Sequence, residues 1–245
     1  MDNPFDLLAT KLGEGEKTAL ASFCDELDAG LKENLRSITL YGSATREDYL
    51  PGHSDINVLV VVEQIDIMSL NRVLDPTARY RRYGIVPFFL SEYDLCSSAD
   101  IFPVKFLEMQ ESYIVLWGSD VLRELEISRE HLRFRCEQEV KNLLLRLRRH
   151  YIMNGGHKLI EIMARIISGF LKTLRLAVSL HQENLPQRRD VIEAAAKAFA
   201  IDADTLRRVK DLRYEDVSIS RDEAEQLFGR FMALVEKVAK ITDKM

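Results

Sequence analysis

Five consecutive apolar residues, Val58-Leu59-Val60-Val61-Val62, constrain this chain more than any other segment. Four of them are β-branched, which favours a strand. With no polar residue alternating through the run, the strand has to be covered on both faces. The residues before about 127 read as a small α/β sheet unit around it. Ser37 to Tyr41 reads as a short strand ending at Gly42. Ile85 to Leu90 reads as another, placed at an edge or an irregular end by Pro87, which has no N–H for a ladder. Tyr113 to Trp117 reads as a fourth, stopped by Gly118. Helices are expected over Asn3 to Glu33 (broken near Gly13), over Ile65 to Tyr80, and over Phe102 to Met109 with Pro103 in its first turn.

The character changes near residue 127. Ser128 is a plausible N-cap for a long helix carrying Val140, Leu144, Leu147 and Tyr151, which Asn154-Gly155-Gly156 ends. His157 to Leu180 follows, with Ile160, Met163, Ile167, Phe170, Leu174 and Ala177 spaced by three and four. Ile162, Ile166 and Leu171 widen that stripe, so this helix should be central in a bundle. Asp190 to Ala200, Thr205 to Tyr214 and Arg221 to Ile241 complete a helical half whose short connections favour antiparallel neighbours.

Composition narrows the possible functions. A chain of 245 residues with 47% apolar and 30% charged side chains is an ordinary globular protein of one or two domains. The formal net charge of -5 gives no general attraction to nucleic acid or to an anionic membrane. Cys24, Cys96 and Cys136 form no C-x-x-C pair, and the expectation is buried or inert thiols in a reducing cytoplasm. Met1 to Leu8 lacks the bases of a signal peptide, and no apolar run approaches the roughly 18 to 20 residues of a membrane span.

Chemistry is concentrated between Leu40 and Val62. Leu40-Tyr41-Gly42-Ser43 is followed, after eleven residues, by Asp55-Ile56-Asn57. Gly42 lets the backbone pass close to a ligand because it has no Cβ. Backbone N–H groups and the Ser43 hydroxyl can then donate to phosphate oxygens. Positions 55 and 57 share a face, since strand side chains alternate. Two oxygen-bearing groups side by side there can hold a hard divalent cation against a polyphosphate.

The segment resembles the signature of the DNA polymerase beta-like nucleotidyltransferase superfamily. That signature is a Gly-Ser pair at a strand end, a loop, then Asp-x-Asp or Asp-x-Glu opening the next strand. Gly42, Ser43, Ser54 and Asp55 match it, and the helical second half is similar to the domain that follows the transferase domain in bacterial antibiotic nucleotidyltransferases. The resemblance implies an α+β fold in which a small mixed-sheet nucleotidyltransferase domain, residues 1–126, precedes an all-α helical bundle domain, residues 127–245. It further implies nucleotide binding by Gly42, Ser43, Ser54 and Asp55. Magnesium or manganese would be held by Asp55 and Asn57, the same two residues would serve catalysis, and an NTP would be substrate or ligand.

Asn57 departs from the pattern. Its carbonyl oxygen can ligate a cation but carries no charge, and at about 2 Å and an effective dielectric near 20 the lost charge weakens cation binding by several kcal/mol. The family's third carboxylate is also missing from Ile85 to Leu90. Glu92, Asp94, Asp100 and Glu108 lie beyond that strand, and the sequence does not choose among them. Two readings stay open. One is a metal-dependent transferase that moves a nucleoside monophosphate from an NTP to a small-molecule or protein hydroxyl, with a weakened metal site. The other is a degenerate, non-catalytic nucleotide-binding or interaction protein on the same fold. A third, a helical interaction protein with an α/β scaffold, drops nucleotide altogether. A cytoplasmic bacterial protein is expected, with neither membrane nor nucleic acid as partner, and the apolar stripes permit a homodimer.

Other residues invite a role and have plainer explanations. Arg79, Arg81 and Arg82 could grip a triphosphate or simply line a solvated turn. Arg146, Arg148, Arg149 and His150 suit the C-terminal end of a helix. His53 could touch phosphate. Ser54 can satisfy its own loop backbone. Trp117-Gly118-Ser119-Asp120 repeats a Gly-Ser pair after a strand, but Ser119 or Asp120 would serve equally as a helix cap near Val121.

Overall fold

The structure, a computed structural model, describes residues 12–47, 49–182, 185–213 and 219–245. It separates into two compact units, Met1–Ile127 and Ser128–Met245.

The first unit is built on four strands: β1 (Leu35–Tyr41), β2 (Ile56–Val62), β3 (Ile85–Ser91) and β4 (Tyr113–Gly118). Their order is β3-β2-β1-β4. β1 runs antiparallel to both β2 and β4, whereas β2 and β3 are parallel, so the sheet is mixed. The parallel pair needs a crossover, and α2 (Ile67–Tyr80) provides it. β2 lies inside the sheet and is buried from Val58 to Val62, as its unbroken apolar run requires. Pro87 sits on β3, an edge strand, where a missing N–H costs least.

Alternation along β2 sends its side chains into two different cores. Ile56, Val58, Val60 and Val62 join Ile38 and Leu40 of β1 against Leu20, Phe23 and Leu27 of α1 (Glu14–Leu31) and Val73 of α2. Leu59 and Val61 turn the other way, toward Leu95 of α3 (Glu92–Ser97) and toward Phe106 and Met109 of α4 (Pro103–Glu111). Each fully buried valine or leucine contributes about 1.5–3 kcal/mol relative to exposure.

Several sequence expectations shift here. The first helix begins at Glu14 among the described residues, and the expected stretch from Asn3 to Lys11 lies outside them. It stops at Leu31, where Lys32 takes a positive φ of 52° and a 3-10 turn, Lys32–Asn34, follows. α3 was not expected; the Ser91 hydroxyl and the Asp94 carboxylate cap its start reciprocally. Val121 begins no helix. The Asp120 carboxylate accepts from the Arg123 N–H at 3.2 Å, but only a turn forms.

The second unit is helical: α5 (Arg129–Met153), α6 (Leu159–Gln182), α7 (Val191–Phe199), α8 (Ala203–Asp211) and α9 (Arg221–Thr242). The Ser128 hydroxyl accepts from the Glu130 N–H at 3.2 Å and caps α5. α6 packs against α5, α7, α8 and α9, the central place its wide apolar stripe predicts. α8 is capped by Asp202, and the buried Thr205 lies inside the helix rather than at its start; Tyr214, the expected end, is outside the described residues. No helix among the described residues is long and apolar enough to cross a membrane.

Candidate functional site

β1 ends at Tyr41, and the chain turns at once into the 3-10 segment Gly42–Thr45. Gly42 has φ +85°, a region that glycine enters without the steric cost of a Cβ. Its N–H donates to the Ser112 carbonyl at 3.2 Å, so it is not among the groups left for a ligand. The turn is braced from within. The Thr45 hydroxyl lies 2.8 Å from the Gly42 carbonyl, 2.9 Å from the Ser112 carbonyl and 2.6 Å from the Ser112 hydroxyl. Its single proton serves one of these acceptors at a time. The Arg46 N–H closes the turn on the Ser43 carbonyl at 2.9 Å.

Opposite this turn stands the start of β2. Tyr41 pairs directly with Asn57 across the β1–β2 ladder. A Cβ built on Gly42 would lie 3.6 Å from the Asn57 side-chain nitrogen and near no other group outside its chain neighbours. A side chain at position 42 would thus touch the Asn57 amide, and the glycine leaves that contact unmade. Asn57 is half-buried, and Asp55, directly before the strand, is exposed. Among the described residues, neither the Ser43 hydroxyl nor the Asn57 amide is engaged with a protein partner.

The second Gly-Ser pair has a different cause. A Cβ on Gly118 would lie 2.1 Å from the Arg36 carbonyl oxygen, because β4 closes there on the start of β1. The Ser119 N–H donates to that carbonyl at 3.1 Å, and the Ser37 hydroxyl donates to the Ser119 carbonyl at 2.7 Å. Gly118-Ser119 therefore seals the sheet, whereas Gly42 faces only the Asn57 side chain, at ordinary van der Waals distance.

The loop between β1 and β2 is anchored by Tyr49, whose buried hydroxyl donates to Glu16 at 2.9 Å. Burial pushes the Tyr49 pKa up, and the charges of Glu16 and Asp55 add to the shift, so its proton stays on. Sequence reading missed Tyr49 and Glu16; only the long-range hydrogen bond reveals them. Ser54 does what its loop position suggested: its hydroxyl accepts from the Leu50 N–H at 3.1 Å, and its own N–H donates to the Leu50 carbonyl at 2.9 Å. His53 is exposed.

The β2–β3 register identifies what lies on the third strand. Asn57 is paired with Val86, Leu59 with Phe88 and Val61 with Leu90. The position beside Asn57 on its own face is thus a valine, 41% exposed. Glu92 and Asp94 come after the far end of β3, roughly 16 Å along the strands from Asn57 at about 3.3 Å per residue. Glu92 lies 3.4 Å from Arg36, and Asp94 caps α3, where the Ser91 hydroxyl and N–H hold its carboxyl below the usual range. Asp100 is exposed in the following turn. Glu108 rides on α4, which packs against the Gly42–Thr45 turn.

Among the described residues, no three His, Cys, Asp or Glu side chains gather closely enough to hold a metal ion. Asp55 and Asn57 offer one charged and one neutral oxygen donor, and Val86 offers none. This set does not fit a resident divalent cation, for which a hard ion wants several oxygen ligands and negative charge.

The arginines divide. Arg79 is 2.6 Å from Glu26, and Arg148 is 3.4 Å from Glu236. Arg81 and Arg82 occupy a 3-10 turn, Arg81–Tyr83, next to Gly84, whose carbonyl accepts from the Ile56 N–H at 2.8 Å. That bond fixes the turn at the end of the sheet where Asp55 stands, and both arginines are exposed.

No protein-family model matches this chain, and no curated protein sequence matches it. Among solved structures, spectinomycin adenyltransferase AAD(9) from Enterococcus faecialis, determined with ATP and spectinomycin, matches 90% of this chain and 98% of its own, with a TM-score of 0.55 and 12% sequence identity. At that identity the likeness speaks to fold. The fold they share is a small mixed-sheet unit followed in sequence by a helical unit.

Proposed function

We propose that this protein binds a nucleoside triphosphate at the end of β1, with its phosphates between the Gly42-Ser43 turn and the Asp55–Asn57 end of β2. One observation carries the reading: the Gly42 turn opens directly onto the Asn57 amide. Ser43 contributes a hydroxyl and a first-turn N–H, Asn57 an amide, and Ser54 the shape of the loop leading to Asp55. Strand alternation favours positions 55 and 57 facing this space together.

Two readings of the chemistry remain: transfer of a nucleoside monophosphate to a small-molecule or protein hydroxyl, or binding without transfer. Val86 beside Asn57 favours the second. Transfer on this fold calls for a cation held by clustered carboxylates, and here Asp55 stands with an amide and a valine. Each absent carboxylate also removes repulsion of about 3 kcal/mol per unit phosphate charge at about 5 Å and an effective dielectric near 20. The site has become kinder to bare phosphate and poorer for metal. The spectinomycin adenyltransferase was determined with ATP and spectinomycin, which supports a nucleotide ligand and a small molecule as the second partner.

Thermal unfolding with and without ATP tests the binding claim. A ligand at 100 times its Kd raises stability by about 2.7 kcal/mol, and a flat response up to millimolar ATP contradicts the proposal. Labelled-NTP transfer then separates the two chemistries. Transfer by the wild type that is lost in Asp55→Ala establishes catalysis; protection without label establishes binding alone.

A further inference from the structure

We infer that this site holds nucleotide phosphates through N–H and O–H donors, without a metal ion bridging them to the protein. The inference rests on the nucleotide reading above and concerns how the same site recognises its ligand.

Asn57 occupies the position where a carboxylate would accept metal. A carboxylate only accepts; a primary amide brings two donor hydrogens. Its side-chain amide faces Gly42, 3.6 Å from where a Cβ would sit, and rotation of that amide can aim its N–H2 into the gap. The Ser43 hydroxyl on the same turn is likewise unengaged among the described residues. Both groups carry donors, Asn57 across from Gly42 and Ser43 next to it in the chain. A phosphate oxygen there meets hydrogen-bond donors without an intervening cation. At the position next to Asn57 on β3, Val86 adds no negative charge. Arg81 and Arg82 are exposed in the turn that the Ile56–Gly84 hydrogen bond holds at the Asp55 end of the sheet, and Arg82 lies over the Tyr83 ring, 4.9 Å from its centroid. Asp55 is the one acid of the strand pair left to oppose a free triphosphate.

Isothermal titration calorimetry of the full chain with ATP, once in EDTA and once in excess magnesium, decides the matter. The expected result is a Kd in EDTA within threefold of that in magnesium. In Asn57→Asp, binding in EDTA should weaken at least tenfold and recover with magnesium. Asp55→Asn should keep or tighten binding in EDTA, and Ser43→Ala should weaken it several-fold whether or not Asn57→Asp folds. Wild-type binding that is tenfold weaker in EDTA than in magnesium overturns the inference while leaving the nucleotide reading intact. An Asn57→Asp protein that still binds ATP equally well in both buffers overturns the role given to Asn57. Absence of binding in both buffers removes the nucleotide reading itself and this inference with it.

Discussion

Two identical dipeptides, Gly42-Ser43 and Gly118-Ser119, follow strands in this protein and do unlike work. Both glycines have positive φ, +85° and +79°. At Gly118 a methyl group would strike the Arg36 carbonyl at 2.1 Å; at Gly42 it would meet only the Asn57 amide at 3.6 Å. Gly118→Ala should therefore cost about 3 kcal/mol or more in stability, since backbone has to move. Gly42→Ala should cost about 1–2 kcal/mol, the penalty of a left-handed conformation for alanine, and on the proposed reading should weaken ATP binding at least fivefold. Denaturant unfolding of both variants, with ATP titration of the second, checks the contrast; equal stability losses contradict it. The sequence alone marks both pairs as candidates. It cannot tell them apart, because the difference lies in what the folded backbone brings opposite each one. Cysteines give a second test at this scale. Burial pushes the Cys24 and Cys136 thiols up to about 12, whereas Cys96 is exposed. A thiol reagent at pH 8 should label one cysteine quickly and the other two only on unfolding; rapid labelling of all three contradicts this burial.

Among the elements, β2 was the most legible, because a continuous β-branched run has few other homes. Pro87 pointed correctly to an edge strand, and the stripe on α6 pointed to the centre of its bundle. Leu59, fully buried between β2 and the α3–α4 layer, should cost about 2–5 kcal/mol when cut to alanine, and a loss below about 1 kcal/mol in chemical denaturation would contradict that layer. α3 was illegible for a physical reason. It spans six residues, too few for periodicity, and its start depends on the reciprocal Ser91–Asp94 cap. The identity of Val86 as the neighbour of Asn57 was also hidden, since strand register is set by the whole sheet. Capping carboxylates give the elements a pH dependence. Ser69, Ser91, Thr205 and Ser220 hold the carboxyls of Asp66, Asp94, Asp202 and Glu223 below their ordinary values. A group depressed in the folded state stabilises above its unfolded pKa, and that contribution disappears as pH falls through the folded value. Thermal stability should therefore decline as pH drops below about 4.5. The acid-side decline should be shallower in Asp66→Ala, and an unchanged slope argues against this capping contribution.

At the scale of the whole molecule, each unit builds its core from its own residues. The helical core runs from Val140 to Ala239, while the sheet's two cores use residues from Leu12 to Leu122. The change of character near residue 127 is legible in sequence because strand-type runs stop there and three-four spacing takes over. A fragment of residues 128–245 should thus give helical circular dichroism and a cooperative melt; a disordered fragment would show that its core is insufficient alone. The proposed nucleotide site lies on the sheet unit, where Gly42 and Ser43 follow β1 and Gly42 faces the Asn57 amide. The most direct test is a set of heteronuclear NMR spectra of the full chain titrated with ATP. The Ser43 backbone amide and the Asn57 side-chain amide should show the largest saturable shifts. Saturable shifts confined to other parts of the chain, or no shifts at millimolar ATP, would contradict the account.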